Sequence, residues 1–214
     1  TATTTTIRNF NEFDLGVSPD KTIYKDNLFF SYLNSSQFWQ LAKYNSNNTI
    51  TLLPSPTGSS GISEKTLFIH NDSLYFLANR GNTSVLAKYN GTSYSMFNNP
   101  DAGGGHLSNN GFCKPISHNG NVYSLYIDPS NKIHLARFNG VTTTLISPPT
   151  VSASVKFSIS SPIISFNNEL YVFYDSASTT TGYTKLARLN GNSLTSMPNP
   201  DGGRGFFVLA PPPQ

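Results

Sequence analysis

Four histidines, 11 carboxylates and one cysteine are the side chains of this 214-residue chain that could do acid–base, nucleophilic or metal chemistry. Their spacing argues against most of it. His70, His106, His118 and His134 stand far apart, and none belongs to a His-Glu-x-x-His, Gly-x-Ser-x-Gly or phosphate-loop pattern. His70 and His118 fall at the place that Tyr24 and Phe166 occupy in other repeats, which predicts a flat ring used for packing. Cys113 has no partner for a disulfide, and its apolar neighbours predict a buried thiol. No metal site and no cofactor are expected.

Binding chemistry has better candidates. Two glycine-rich stretches, Asp101-Ala102-Gly103-Gly104-Gly105-His106 and Asp201-Gly202-Gly203-Arg204-Gly205, each follow Asn-Pro. Asp101, His106, Asp201 and Arg204 on such loops can hydrogen-bond sugar hydroxyls, although Asn-Pro-Asp is also plain turn chemistry. Trp39, the one tryptophan, is either core or an exposed stacking platform. Asp128-Pro129-Ser130-Asn131 resembles a calcium loop only in part and predicts a hairpin tip.

The elements that must position these residues are repeats. One pentapeptide recurs as Leu41-Ala42-Lys43-Tyr44-Asn45, Leu86-Ala87-Lys88-Tyr89-Asn90, Leu135-Ala136-Arg137-Phe138-Asn139 and Leu186-Ala187-Arg188-Leu189-Asn190, at spacings of 45, 49 and 51 residues. Before each comes an apolar run, such as Leu74-Tyr75-Phe76 or Leu170-Tyr171-Val172-Phe173-Tyr174, entered through a turn rich in Asn and Asp. After it comes a second turn, Asn-Gly in three of the four repeats, and then an alternating strand that stops at Pro54, Pro100, Pro148 or Pro198. The second strands are apolar on consecutive residues, which predicts burial on both faces.

Each unit therefore reads as four antiparallel strands, and the expected fold is an all-β propeller of four blades in one domain, 1–214. The repeats are expected at about 20–57, 64–105, 112–150 and 160–203. The ends complicate closure. Thr3 to Phe10 resembles a fourth strand without its first three, and Gly205 to Leu209 resembles a first strand without the rest. Either four blades close with spare strands at a seam in 1–19 and 204–214, or the chain is a segment of a larger ring.

Composition narrows the function classes. Only 12% of residues are charged, against roughly 25% in an average soluble domain, and Ser, Thr, Asn and Gly take their place. That composition predicts an extracellular or cell-surface location. The net charge of +3 is spread without a Lys or Arg run, so nucleic-acid binding is not expected. No apolar stretch approaches the roughly 20 residues of a membrane helix. The start at Thr1, without Met or a signal pattern, predicts a mature or excised chain.

The Leu-Tyr-Phe runs, the Leu-Ala-Lys-Tyr-Asn-Gly-Thr segment and Asn-Pro-Asp-Ala-Gly-Gly together resemble the propeller-like repeats of secreted and surface proteins of Bacteroidetes, akin to Glu-Leu-Trp-Lys-type repeats. The resemblance spans roughly residues 21–205, and the chain departs from that pattern in lacking its Trp. It implies surface location more than activity. Asp72-Ser73-Leu74 and Asp175-Ser176-Ala177 are similar to a short O-glycosylation acceptor of that phylum, which would make Ser73 and Ser176 modification sites.

With 11 acids and none recurring in all four repeats, the expectation is a non-enzymatic module that binds a carbohydrate or protein ligand through one propeller face. The alternative is an assembly component of a surface filament, fibre or virion that self-associates through seam strands. A hydrolase or lyase on the propeller scaffold is the least favoured of the three.

Overall fold

The computed structural model describes residues 16–47, 49–101, 104–108, 114–149, 156–157, 162–176 and 183–199. They form four antiparallel sheets in chain order, each a blade of four strands. The first blade holds β1 (Gly16–Tyr24), β2 (Asn27–Leu33), β3 (Trp39–Tyr44) and β4 (Ile50–Leu52). In the second, β5 (Gly61–Ile62) and β6 (Phe68–His70) are two halves of one strand, followed by β7 (Ser73–Arg80), β8 (Thr83–Tyr89) and β9 (Tyr94–Met96). The third repeats this with β10 (His106–Leu107), β11 (Ile116–His118), β12 (Asn121–Ile127), β13 (Ile133–Phe138) and β14 (Thr143–Ile146). The fourth has β15 (Lys156–Phe157), β16 (Ile164–Phe166), β17 (Glu169–Ser176), β18 (Tyr183–Asn190) and β19 (Ser193–Ser196).

Local chemistry sets the strand order. Every hairpin between first and second strands carries two residues with positive φ: Lys25 and Asp26, Asn71 and Asp72, Asn119 and Gly120, Asn167 and Asn168. That is the two-residue geometry whose twist matches flanking strands, and it explains the Asn and Asp at these places. At the outer hairpins the Asn90 side-chain carbonyl accepts from the N–H groups of Thr92 and Ser93, and Asn139 does the same for Val141 and Thr142. The Asp128 carboxylate closes its turn likewise, accepting from Ser130 and Lys132.

Both faces of a middle blade are buried, as the unbroken apolar runs predict. Leu74, Phe76 and Ala78 of β7 pack with Tyr24, Phe29 and Leu41 of the first blade. Their neighbours Tyr75 and Leu77 face the other way, against Val122, Tyr126 and Ala136 of the third. Tyr123 and Leu125 then pack on Leu170, Val172 and Tyr174 of the fourth. Burial of each such side chain stabilises by roughly 1.5–3 kcal/mol. Face-to-face blades with first strands side by side make a propeller-like arrangement.

The sheets begin ahead of the expected repeat starts, at Gly16, Gly61, His106 and Lys156. The difference has one cause. Each first strand is interrupted, so its leading half sits upstream of the segment that resembles a strand. The terminal strand-like segments, Thr3 to Phe10 and Gly205 to Leu209, lie outside the described residues, as does Cys113.

Candidate functional site

The interruption of the innermost strands builds the site. In β1 the register slips between Val17 and Lys21, so Ser18, Pro19 and Asp20 stand against Ser31 alone. In the second blade residues 63–67 stand against Phe76 and Leu77. In the third, Leu107 stands opposite Tyr126 and Ile116 opposite Tyr123, and in the fourth, Phe157 stands opposite Tyr174 and Ile164 opposite Tyr171, so the first strand is again the longer of the two between its paired halves. Bulges of this kind re-aim side chains away from the ladder. Here they do so on the innermost strand, next to the axis.

The second strand loses ladder partners at these points, and side chains replace them. Thr66, 2% exposed, donates its hydroxyl to the Ser63 carbonyl while its oxygen accepts from the Leu77 N–H at 3.1 Å. The Ser63 and Ser108 N–H groups reach the Leu77 and Leu125 carbonyls. A buried N–H left without an acceptor would cost about 1–3 kcal/mol.

Three bulges meet at one carboxylate. Asp20, its side chain 8% exposed, accepts from the Leu67 N–H of the second blade at 2.7 Å and from the Lys114 ammonium of the third at 2.6 Å. A residue of the first blade can touch the third only across the axis. The carboxylate is thus oriented by two donors from two different blades. Glu64, three residues before Leu67 on the same bulge, is 35% exposed and lies 3.5 Å from Lys65.

One step along the inner strands, the blades are stitched to each other. His70 Nδ1 and Ser117 Oγ are hydrogen-bonded at 2.8 Å, and His118 Nδ1 and Ser165 Oγ repeat the contact at 2.8 Å in the next pair. Tyr24 donates its hydroxyl to the Asp72 carbonyl. The His70 ring meets Tyr75 edge-on, as packing predicts. Burial, and secondarily the Lys88 charge, push the His70 imidazole below its ordinary value of 6.5. Its native state is therefore neutral, and the unfolded chain takes up the proton first as pH falls. Stability is intact above about pH 6.5 and declines below it, until the folded-state value is passed. His70→Phe, which places there the ring that Phe166 supplies in the fourth blade, is expected to flatten the fall in Tm between about pH 7 and about pH 5. An unchanged slope would mean that the acid sensitivity lies elsewhere.

The residues singled out by sequence are distributed as follows. Asp101 and His106 share the connection from the second blade to the third; both are partly buried, with His106 paired opposite Ile127. Burial, and the Asp101 carboxylate beside it, raise the Tyr126 phenol well above its usual range. Trp39, partly buried, packs against the core between the first two blades. Ser73 is 5% exposed with its hydroxyl turned onto the Asn71 carbonyl. Ser176 ends β17. Asp201 and Arg204 lie outside the described residues.

Asp20 and Lys114 were missed by reading the sequence, yet a signal exists. Counting four residues back from Tyr24, His70, His118 and Phe166 gives Asp20, Thr66, Lys114 and Pro162. Opposite charges stand at one repeat position in different blades. Among the described residues no three His, Cys, Asp or Glu side chains gather closely enough to hold a metal ion. Among them also, no helix is long and apolar enough to cross a membrane.

No family model matches the chain, and no curated protein does. Solved structures similar to it include the following two. "Bacteroides ovatus Xyloglucan PUL GH43B" is 13% identical over 89% of this chain and 42% of its own length, with a TM-score of 0.42. An α-L-arabinofuranosidase, CtGH43, from Clostridium thermocellum is 14% identical over 85% of this chain and 72% of its own, with a TM-score of 0.44. The expectation of a non-enzymatic module is corrected by this finding, since both titles are those of glycoside hydrolase family 43 proteins.

Proposed function

We propose that this chain is the propeller of a glycoside-directed hydrolase acting outside the cell, with Asp20 as its axial carboxylate. One observation carries the reading. Asp20 lies at the axis with 8% of its side chain exposed, and donors from two other blades fix its orientation. Hydrolysis of a glycosidic bond uses two carboxyl groups on either side of the bond, one to protonate the leaving oxygen and one to assist attack. Glu64, on the bulge whose Leu67 N–H holds Asp20, is the second carboxyl group, and its greater exposure suits the acid that meets the departing sugar. The low charge and the Ser, Thr, Asn and Gly content support an extracellular setting.

The test is release of nitrophenol from aryl glycosides by the full chain. The panel includes an α-L-arabinofuranoside, the sugar named for one similar structure. Turnover of at least one substrate is expected, with a loss of about a hundredfold or more in Glu64→Gln at unchanged Tm. Absence of turnover across the panel, or full activity in Glu64→Gln, overturns the assignment.

A further inference from the structure

The β1–β2 hairpin and the β3–β4 turn of the first blade frame an open cavity of about 340 Å³, whose walls include Asp26, Asn27, Leu28, Tyr44, Asn45 and Ser46. Liquid water takes roughly 30 Å³ per molecule, so the space suits a small organic ring and is far too large for a bare ion.

Its walls divide by chemistry. Leu28 and Tyr44 offer carbon, and the side chains around them are rich in acceptors. Asn45 commits its amide nitrogen to the Thr49 carbonyl and to the Thr49 and Thr51 hydroxyls, at 3.2, 3.0 and 2.9 Å, which fixes the amide with its oxygen turned away from those partners. Asn27 commits its nitrogen to the Lys25 carbonyl. Asp26 forms no ion pair among the described residues, since the neighbouring Lys25 ammonium is drawn off to the Asn90 carbonyl of the second blade at 3.0 Å. Two oriented amide oxygens and a carboxylate thus stand beside an aromatic ring, and a ligand must bring the donors.

The second blade shows what such a place takes. Its matching residues are Asp72, Leu74, Tyr89, Asn90 and Gly91, and the first blade supplies their occupant. Tyr24 packs with Leu74 and Tyr89 and donates its hydroxyl to the Asp72 carbonyl at 3.2 Å, while Lys25 donates to Asn90. Tyr89 is buried there, whereas Tyr44 is only partly so. The occupant is a hydroxyl-bearing ring that lays carbon on Leu and Tyr and points donors at oxygen. A sugar is the diffusible molecule with that layout, hydroxyls at its edge and C–H groups on its face.

We propose that this cavity of the first blade is a carbohydrate site separate from the axis, binding one sugar ring with its hydroxyls on Asp26, Asn27 and Asn45 and its carbon face on Tyr44. β1 ends at Tyr24, four residues past Asp20 and about 13 Å further along the strand. A site that far away anchors a glycan and takes no part in bond cleavage, so it stands or falls independently of the hydrolase reading.

Amide shifts of the isotope-labelled full chain test this, with xylose, arabinose, glucose and galactose and the oligosaccharides of xylan, arabinan and cellulose titrated in turn. The amides of Asn27, Asn45 and Ser46 are expected to move with at least one of them, with a Kd on the order of 1 mM. Asp26→Gly, which removes the carboxylate where a φ of 58° suits glycine, is expected to weaken that binding at least about tenfold at unchanged Tm. Ser46→Tyr, at an exposed turn position, fills the cavity with a ring and is expected to abolish it. Three unmoved amides with every sugar overturn the proposal, and so does wild-type affinity in both variants. Shifts confined to Ser63 and Leu67 place all sugar at the axis and overturn it while leaving hydrolysis intact. Movement of the three amides with calcium chloride or choline, and with no sugar, assigns the acceptors to a cation and overturns it equally.

Discussion

Replacing Asp20 by Asn is expected to lower the proposed hydrolysis about a thousandfold while the protein stays folded. The amide keeps an acceptor for the Leu67 N–H but carries no charge and takes no proton. Asp20→Ala should behave differently. It strips the acceptor from a backbone N–H of Leu67, a residue 1% exposed, and is expected to destabilise by about 2 kcal/mol. The ion pair itself contributes less, because Lys114 is 42% exposed and water screens it. Exchanging the charges, Asp20→Lys with Lys114→Asp, separates the two roles. Stability measured by denaturant unfolding should partly return, whereas turnover should not. Equal activity in wild type and Asp20→Asn would remove the carboxylate from the chemistry.

Gly105→Ala is expected to be the most damaging single methyl in the described chain, at about 3 kcal/mol. The Gly105 Cα faces the Tyr126 hydroxyl and the Ile127 carbonyl so closely that a Cβ would be driven into both. The loop cannot simply slide away, because Asn99, itself 6% exposed, donates to the Gly105 carbonyl at 2.8 Å and to the Ser84 carbonyl at 3.2 Å. Adding Tyr126→Phe removes the nearest obstacle, the hydroxyl, but leaves the ring carbon Cζ and the Ile127 carbonyl in the way, so it should recover only a small part of the loss. Denaturant unfolding of the single and double variants decides it: a Gly105→Ala protein of wild-type stability would show that this connection repacks freely.

Hairpins and outer strands were legible because their determinants are local. Asn and Asp at the two-residue turns announce positive φ, and a run such as Leu170 to Tyr174 announces burial on both faces. The split innermost strands were not legible, since Ser63-Glu64-Lys65-Thr66-Leu67 in one blade and residues 108–115 in another share no period and no length. A bulge leaves no periodic trace, and the strand halves before it are two residues long. The axial carboxylate was hidden for a different reason. Asp20 and Lys114 are 94 residues apart, and only the packing of the blades brings them within hydrogen-bond reach. Asp101 and His106 were picked out by the glycines between them, of which Gly105 is required by close packing on Tyr126. Trp39, partly buried, packs against the core between the first two blades.

The bulges differ in length from blade to blade, yet the hairpins outside them keep one register. Framework and lining are consequently separable. Residues can be gained, lost or exchanged at 18–20 or 63–67 without re-pairing a single outer strand, so the axis is a graftable surface. A designer could transplant a bulge from one blade to another, and natural drift could have changed the chemistry of the axis by the same insertions.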